Sequence, residues 1–304
     1  MGTVLIFFVA MVGAGYLLRR LDLVRTEAAK DLNQLVFYVT LPPLIFMAMH
    51  GATFTLTMAV LPALGWGLTF VALCLGLLLV RVLRLPREQA GAFMLALGFA
   101  NTTFLGYPLI QGFYGEGHLT LAILYDLLGT TLAVNTLGVA VASASGGAPA
   151  SPSAMARRLL LFPPIWALVL GLVCHGMPLH PVLSELLQRL GDLTTPLIMF
   201  ALGLSLQFRH WRKHLGLVGL VAVGRLLVLP AVALVVTRLM GLPVAYQQAV
   251  VLQAAMPTMF YSLTLAMVFG LETTLVVNAI MVTTVPGAWP ATMRVCSRRC
   301  SLRL

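Results

Sequence analysis

Charged residues are scarce in this chain. Only 9% of its 304 residues are Asp, Glu, Lys or Arg, 60% are hydrophobic, and the mean hydropathy is +0.98. Soluble globular domains ordinarily have about a quarter of their residues charged. The scarcity of charge therefore excludes a soluble protein of this length and indicates a membrane protein.

Patterns of metal sites, disulfide frameworks and active sites are also lacking. The four cysteines, Cys74, Cys174, Cys296 and Cys300, have no spacing typical of a metal site or a disulfide framework. The sequence has no zinc-protease motif, no nucleophile elbow and no nucleotide-binding loop. We therefore expect no metal, no cofactor and no enzymatic activity.

Acidic residues number only nine, against nineteen Lys and Arg, so the formal net charge is +10. That charge would suit a nucleic-acid-binding protein, but most of the basic residues lie in short loops on one side. These are Arg19, Arg20, Arg25, Lys30, Arg81, Arg84, Arg87, Arg157, Arg158, Arg209, Arg212 and Lys213. The opposite loops, near 51–56, 115–117 and 176–184, contain no Lys or Arg. This bias places the basic loops in the cytoplasm and the N-terminus outside, and it argues against nucleic acid as a partner.

Apolar stretches long enough to cross a bilayer, which takes about 20 residues, recur from end to end. The sequence predicts an all-α polytopic membrane protein with ten spans. Their ranges are 3–18, 33–50, 58–80, 88–113, 118–142, 159–176, 185–206, 214–239, 245–269 and 273–290. An even number of spans puts the C-terminal tail outside, although the tail contains Arg294, Arg298, Arg299 and Arg303. The side of this tail, and an eleventh or missing span, stay open.

Two of the predicted spans contain residues that interrupt helices. The fourth span reads GFANTTFLGYP over residues 98–108, and the ninth reads LQAAMPT over residues 252–258. A Pro or Gly deep in lipid frees backbone polar groups, which only protein or a water-filled cavity can satisfy. Interruptions at corresponding points of two halves indicate the binding site of a transporter.

The two halves resemble each other in sequence. Residues 43–49 read PLIFMAM and residues 196–202 read PLIMFAL, an offset of 153 residues. We predict a first five-helix repeat over 1–142, a cytoplasmic linker over 143–158 and a second repeat over 159–304. Because five is odd, the second repeat is inverted relative to the first, which is the architecture that supports alternating access.

Several segments resemble one known family in order along the chain. Residues 101–110, NTTFLGYPLI, resemble the fourth-helix motif of the auxin efflux carrier family, and residues 253–257, QAAMP, resemble its ninth-helix crossover motif. Residues 225–232, 200–204 and 162–165 resemble its helices 8, 7 and 6. The family includes plant PIN-type carriers and bacterial organic-acid permeases, within the bile acid, arsenite and riboflavin transporter superfamily.

The chain departs from the plant carriers at two places. Ala100 stands where they have a proline just before the asparagine, so Gly98, Gly106 and Pro108 remain the candidates for the break in the fourth span. The cytoplasmic loop between the halves is only about 15 residues, as in a compact bacterial permease. We therefore expect an integral protein of the bacterial inner membrane.

The resemblance implies an elevator fold like those of the bile-acid symporters and NhaA. Spans 1, 2, 6 and 7 would form a scaffold, and spans 3–5 and 8–10 a moving transport domain. Spans 4 and 9 would cross where they are unwound. The residues expected at this crossover are Gly98, Gly106, Pro108 and Pro257.

An unwound helix directs a half-helix N-terminus toward the membrane midplane, and its free N–H groups suit a carboxylate. The amide of Asn101 adds a donor without a permanent charge. The predicted substrate-binding residues are Asn101, Thr102, Asp126, Gln253, Pro257, Thr258 and Tyr261. Structural roles for the same residues stay open: Asn101 caps the helix, Thr102, Gln253 and Thr258 satisfy freed backbone groups, and Tyr261 serves packing.

Asp126 and Arg225 lie well inside predicted spans, where charges are costly and usually face a partner or a cavity. We consider an Asp126–Arg225 ion pair, and coupling of transport to H⁺ or Na⁺ through either residue, as hypotheses. Asp126 in a polar cavity without coupling is the alternative, and Arg225 could neutralise helix ends or extend to the cytoplasmic side.

These observations predict a carrier of small organic anions, such as malate-like, malonate-like or auxin-like acids, that works by elevator-type alternating access. A channel or receptor with the same fold is the alternative. The expected partners are the organic anion and the bilayer, and a homodimer through the scaffold helices stays open.

Overall fold

The computed structural model describes residues 2–25, 27–147, 153, 157, 160–205 and 214–284. Several residues named above therefore lie outside the described part of the chain. These are Arg158, Arg209, Arg212 and Lys213, most of the predicted linker, the four C-terminal arginines, Cys296 and Cys300. Within the described ranges the regular structure is helical and contains no β-strand.

The bounded helices are labelled α1 to α13 in chain order. They are α1 Gly2–Arg20, α2 Ala28–His50, α3 Leu56–Leu83, α4 Arg87–Gly98, α5 102–114, α6 Glu116–Ser145, α7 Pro163–Val173, α8 Pro181–Asp192, α9 Thr194–Ser205, α10 Leu215–Leu239, α11 Val244–Ala254, α12 Phe260–Val268 and α13 Thr273–Thr284. Each of the ten apolar ranges predicted from the sequence overlaps one or two of these helices.

Four of the described helices, α2, α3, α6 and α10, are long and apolar enough to cross a membrane unaided. Two further apolar helices, α7 and α13, are shorter. Many large apolar side chains on these helices face outward, including Phe70, Leu78 and Leu227. An all-helical chain with several such helices and an apolar exterior is a polytopic membrane protein, as the composition predicted.

Wide π-helical turns adjoin prolines in three helices. Residues Val36–Thr40, Thr102–Gly106 and Gly224–Val228 each form such a turn, and Pro42, Pro108 and Pro230 follow two residues later. Because proline has no N–H and its ring clashes with the carbonyl four residues earlier, an α-helix cannot continue unchanged through it. A π turn absorbs the conflict, and the helix continues.

The helices pack in two groups. Helices α1, α2, α7, α8 and α9 pack mainly against one another, with α1 against α9 and α2 against α7 and α8. In the second group, α3 packs against α4 and α6, and α10 packs against α11 and α13.

Glycines allow close backbone approach inside each group. In the first group, a Cβ on Gly15 would meet the backbone of Phe200, and a Cβ on Gly203 would meet that of Val12. In the second group, a Cβ on Gly65 of α3 would lie 2.6 Å from the carbonyl oxygen of Tyr125 in α6. Small residues at such contacts bring helices together in a bilayer, where the hydrophobic effect does not.

We predict that Gly65→Ala lowers the thermal unfolding temperature of the detergent-purified protein by several degrees. The added methyl group must push α3 away from α6, and overpacking of this kind costs about 1–3 kcal/mol. Gly67→Ala is the matched control, because nothing lies within 4 Å of a Cβ built at that position on the same helix. Equal unfolding temperatures for the two variants would contradict the α3–α6 contact.

Candidate functional site

Two unwound segments meet inside the helix bundle, and we call them together the crossing. Residues 99–101 separate α4 from α5, and residues 255–259 separate α11 from α12. The N–H of Asn101 donates to the carbonyl of Pro257 at 2.8 Å, and the N–H of Met259 donates to that of Phe99 at 3.0 Å. Ala100 and Thr258 thus form an isolated antiparallel bridge. Each break thus supplies one backbone donor and one backbone acceptor to the other.

Hydroxyl groups of the second break and of the first turn of α12 cap the end of α4. Thr258 Oγ1 donates to the carbonyl of Ala96 at 2.9 Å, and Ser262 Oγ donates to that of Leu95 at 3.1 Å. The Thr258 N–H in turn donates to Thr283 Oγ1 on α13 at 3.1 Å. Because the last carbonyls of a helix have no partner within the helix, these bonds make the interruption tolerable in an apolar environment.

The four residues predicted at the crossover do not all lie at the breaks. Gly98 is the last residue of α4, and Pro257 lies inside the second break. Gly106 and Pro108 lie beyond the first break, inside α5. Gly106 instead allows the side-chain amide of Gln253 to lie close to the backbone of α5, because a Cβ at this position would collide with that amide.

Asn101 is the polar side chain at the centre of the crossing. It is 0% exposed, and neither Oδ1 nor Nδ2 has a hydrogen-bond partner among the described residues. The Oε1 atom of buried Gln253 is likewise without a described partner, while its Nε2 donates to the carbonyl of Ala122 at 3.4 Å. A buried polar group without a partner costs about 1–3 kcal/mol. Such groups in a native structure point to a ligand or water.

Asp126 is buried in a cage of threonine hydroxyls. Thr102 Oγ1 donates to its Oδ1 at 2.7 Å, Thr103 Oγ1 to its Oδ2 at 2.5 Å, and Thr131 Oγ1 to its Oδ1 at 3.1 Å. Thr102 and Thr103 are the first two residues of α5, so the carboxylate lies at the N-terminal end of this half-helix. A negative charge there is stabilised by the helix dipole.

The hypothesised ion pair between Asp126 and Arg225 is absent from the described structure. Both oxygens of the carboxylate are already bonded to hydroxyls. Arg225 lies in the π turn of α10, is 3% exposed, and has no described partner at Nε.

The remaining predicted substrate-binding side chains are engaged with protein groups in this conformation. The Thr258 hydroxyl bonds to Ala96, the Thr102 hydroxyl to Asp126, and the Tyr261 hydroxyl donates to Asn135 Oδ1 at 3.4 Å. Their contact with substrate stays a prediction. Thr103, Thr131 and Ser262 were not among the residues predicted from the sequence, although the tandem of Thr102 and Thr103 directly after Asn101 was a visible signal.

Long apolar helices around a buried polar crossing define the class of membrane transporter. A family model described as membrane transport protein matches residues 1–293. The chain belongs to this family, which is that of the auxin efflux carriers, as the motifs predicted.

Three relatives agree with this assignment. The chain is 31% identical over 275 residues to an uncharacterized transporter of Methanothermobacter thermautotrophicus, covering 89% of both chains. It is 29% identical over 290 residues to an uncharacterized transporter of Methanocaldococcus jannaschii, covering 92% of this chain and 93% of the relative. A protein of Rhizobium meliloti named "putative malonate transporter" is 26% identical over 315 residues, covering 94% of this chain and 93% of that one. The family and these names identify a transporter and not an enzyme, as predicted.

We predict that Thr103→Val destabilises the protein. The substitution preserves shape but removes the hydroxyl that donates to Asp126 Oδ2, and loss of a donor to a buried carboxylate oxygen costs about 1–3 kcal/mol or more. Thr136→Val is the matched control, because the Thr136 hydroxyl bonds to carbonyls of its own helix, those of Leu132 and Ala133. Thermal unfolding in detergent should show a lower midpoint for Thr103→Val. Indistinguishable midpoints would argue against the cage.

Proposed function

We propose that the protein is a carrier of small organic anions that binds its substrate at the crossing and moves it by elevator-type alternating access. The single observation that carries the proposal is Asn101, a fully buried amide without described side-chain partners where two broken helices meet. A polar group left unsatisfied at this point is suited to a ligand that comes and goes.

The packing of the helices supports a scaffold and a moving domain. The first group, α1, α2, α7, α8 and α9, corresponds to the predicted spans 1, 2, 6 and 7. The second group contains the other spans and both arms of the crossing, by which we mean the two breaks with the half-helices α5 and α12 that follow them. We propose ten membrane spans in two inverted five-helix repeats, with the basic loops in the cytoplasm of a bacterial cell and the N-terminus outside. A rigid group that contains the whole crossing could move against the other without breaking the backbone bonds that hold it.

The charges at the crossing support an anion site with two unequal arms. The N-terminal end of α5 already faces the carboxylate of Asp126, so the arm left for a substrate anion is the N-terminal end of α12, which begins at Phe260. Asn101 lies between the two arms through its bond to Pro257. A site built from dipoles and amides holds a carboxylate without a permanent counter-charge.

A small carboxylate is the substrate class that these features favour. One relative is named "putative malonate transporter", and malate-like, monocarboxylic or auxin-like acids present the same functional group. Asp126 is the residue that we propose for coupling to H⁺ or Na⁺, because its buried carboxylate bonds to the two threonines that directly follow Asn101.

We predict that Asn101→Ala abolishes ligand recognition. In a thermal-shift screen against carboxylic acids, including malonate and malate, the parent protein should be stabilised by at least one acid and the variant by none. Counterflow of the same acid in proteoliposomes should fall at least tenfold, the effect of losing about 1.4 kcal/mol of binding. Gln34→Ala, an exposed amide on α2, is the control.

Full ligand stabilisation of Asn101→Ala would contradict the site. Saturable, trans-stimulated exchange by the parent protein supports a carrier. Linear flux that is measurable as current would show a channel on the same fold instead.

We predict that Asp126→Asn removes the pH dependence of uptake if protons are coupled. An amide cannot take up the proton, so the decline of uptake with rising external pH should disappear in the variant. Asp31→Asn, an exposed carboxylate on α2, should keep the parent profile. An unchanged pH profile of Asp126→Asn would contradict proton coupling through this residue. If Na⁺ stimulates uptake by the parent protein and Asp126→Asn abolishes this stimulation, the coupled ion is Na⁺.

A further inference from the structure

A cavity of about 310 Å³ opens on the side of the bundle opposite to the basic loops. Its walls come from the ends of α2 and α5, the starts of α3 and α6, and α8, so it lies between the two groups of helices. Its polar lining includes two amides, Gln111 and Gln188, and two carboxylates, Glu116 and Asp192, and no Lys, Arg or His of the described ranges lines it. The remaining lining is largely apolar, with Leu44, Met47, Met58, Leu119 and Leu187.

Asp192 places a carboxylate on the wall of this cavity, at the end of α8. Asp192 is the last residue of α8, eleven residues after Pro181, and at about 1.5 Å per residue it lies roughly 16 Å along the helix. The residue is exposed. A carboxylate at such depth in a membrane protein faces a protein partner or an aqueous cavity. Arg189, the nearest basic residue on α8, bonds to Glu185 at 2.6 Å and does not line the cavity.

The cavity also reaches the helix that begins at the crossing. Gln111 lies in α5, ten residues after Asn101, and its Oε1 accepts a hydrogen bond from Thr195 of α9 at 3.1 Å. This bond joins the two groups of helices at the inner wall of the cavity. The cavity therefore lies between the two groups of helices, roughly 15 Å along α5 from the crossing, on the side predicted to face outward.

We propose that the carboxylates of Asp192 and Glu116 select the charge of acids that approach the crossing from the outside, admitting neutral and singly charged acids in preference to dianions. The proposal rests on the proposed function and deepens it. Two like charges in a narrow, partly apolar opening focus a negative potential, which lowers the local concentration of a dianion more than that of a monoanion. Salt weakens the effect where the charges are solvated.

Thiol labelling tests the charge of the cavity without a measurement of transport. In a background with the four native cysteines replaced by alanine, Gln188→Cys places a thiol in the cavity. His180→Cys, exposed just before α8, is the matched control outside it. The rates of modification by a cationic and an anionic methanethiosulfonate reagent of similar size are then compared.

The expected result is a cationic-to-anionic rate ratio at Gln188→Cys about threefold or more above that at His180→Cys, in line with electrostatic focusing. Adding Asp192→Asn and Glu116→Gln should bring the ratio down to the control value, and raising the ionic strength should do the same. Equal ratios at both positions, an unchanged ratio in the neutralised variant, or no labelling of Gln188→Cys would each overturn the proposal. If the double substitution does not fold, Asp192→Asn alone and the salt series decide.

Charge selection itself is tested by transport kinetics in proteoliposomes. With malonate and monomethyl malonate as probes, Asp192→Asn should lower the KM for the dianion by about two- to fourfold and that for the monoanion by the square root of this factor, at most about twofold. A KM ratio unaltered by Asp192→Asn overturns the selection. If neither probe nor any other carboxylic acid is transported while labelling stays cation-selective, the proposed function is wrong and the cavity charge stands.

Discussion

The two backbone hydrogen bonds between residues 99–101 and 255–259 are the constraint on which the rest of the structure depends. Unwinding a helix inside a bilayer exposes N–H and C=O groups that lipid cannot satisfy. Either break alone would therefore be unstable, and the two are stable only together, because each supplies the donor or acceptor that the other lacks. This mutual dependence ties the halves of the chain to one point and fixes α4, α5, α11 and α12 relative to each other.

The two arms of the crossing are chemically unequal, although they come from corresponding positions. On the second arm, Thr258 and Ser262 direct their hydroxyls to the last carbonyls of α4, and on the first arm Thr102 and Thr103 direct theirs to Asp126. One arm thus closes a helix end and the other holds a buried negative charge. Neither arm uses the side-chain amide of Asn101, and this unpaired amide is the basis of the proposed ligand site.

The sequence alone located both interruptions and the apolar ranges, and it singled out Asn101 and Asp126, because proline, glycine and isolated polar residues are conspicuous in apolar surroundings. Pro108 was a candidate for the break in the fourth span, but it lies inside α5, where the adjoining π turn accommodates it without ending the helix. The same kind of turn hid Thr131: at Asp126–Thr130 the helix widens, so the hydroxyl five residues on reaches the carboxylate, where an α-helix would present residues three or four on. Asp192 was overlooked because its role depends on a cavity between helices distant in sequence.

A buried carboxylate close to the proposed anion site is unfavourable only when formal charges are counted without the helix dipoles. The charge of Asp126 is spread over three hydroxyl donors and lies at the positive end of α5, so its field at the crossing is reduced by the groups that stabilise it. The remaining repulsion opposes tight binding of a second anion. A carrier must release its substrate in every cycle, and a site in which dipoles attract the carboxylate while Asp126 limits the attraction meets that requirement. A lysine or arginine in place of Asn101 would bind more strongly and release more slowly.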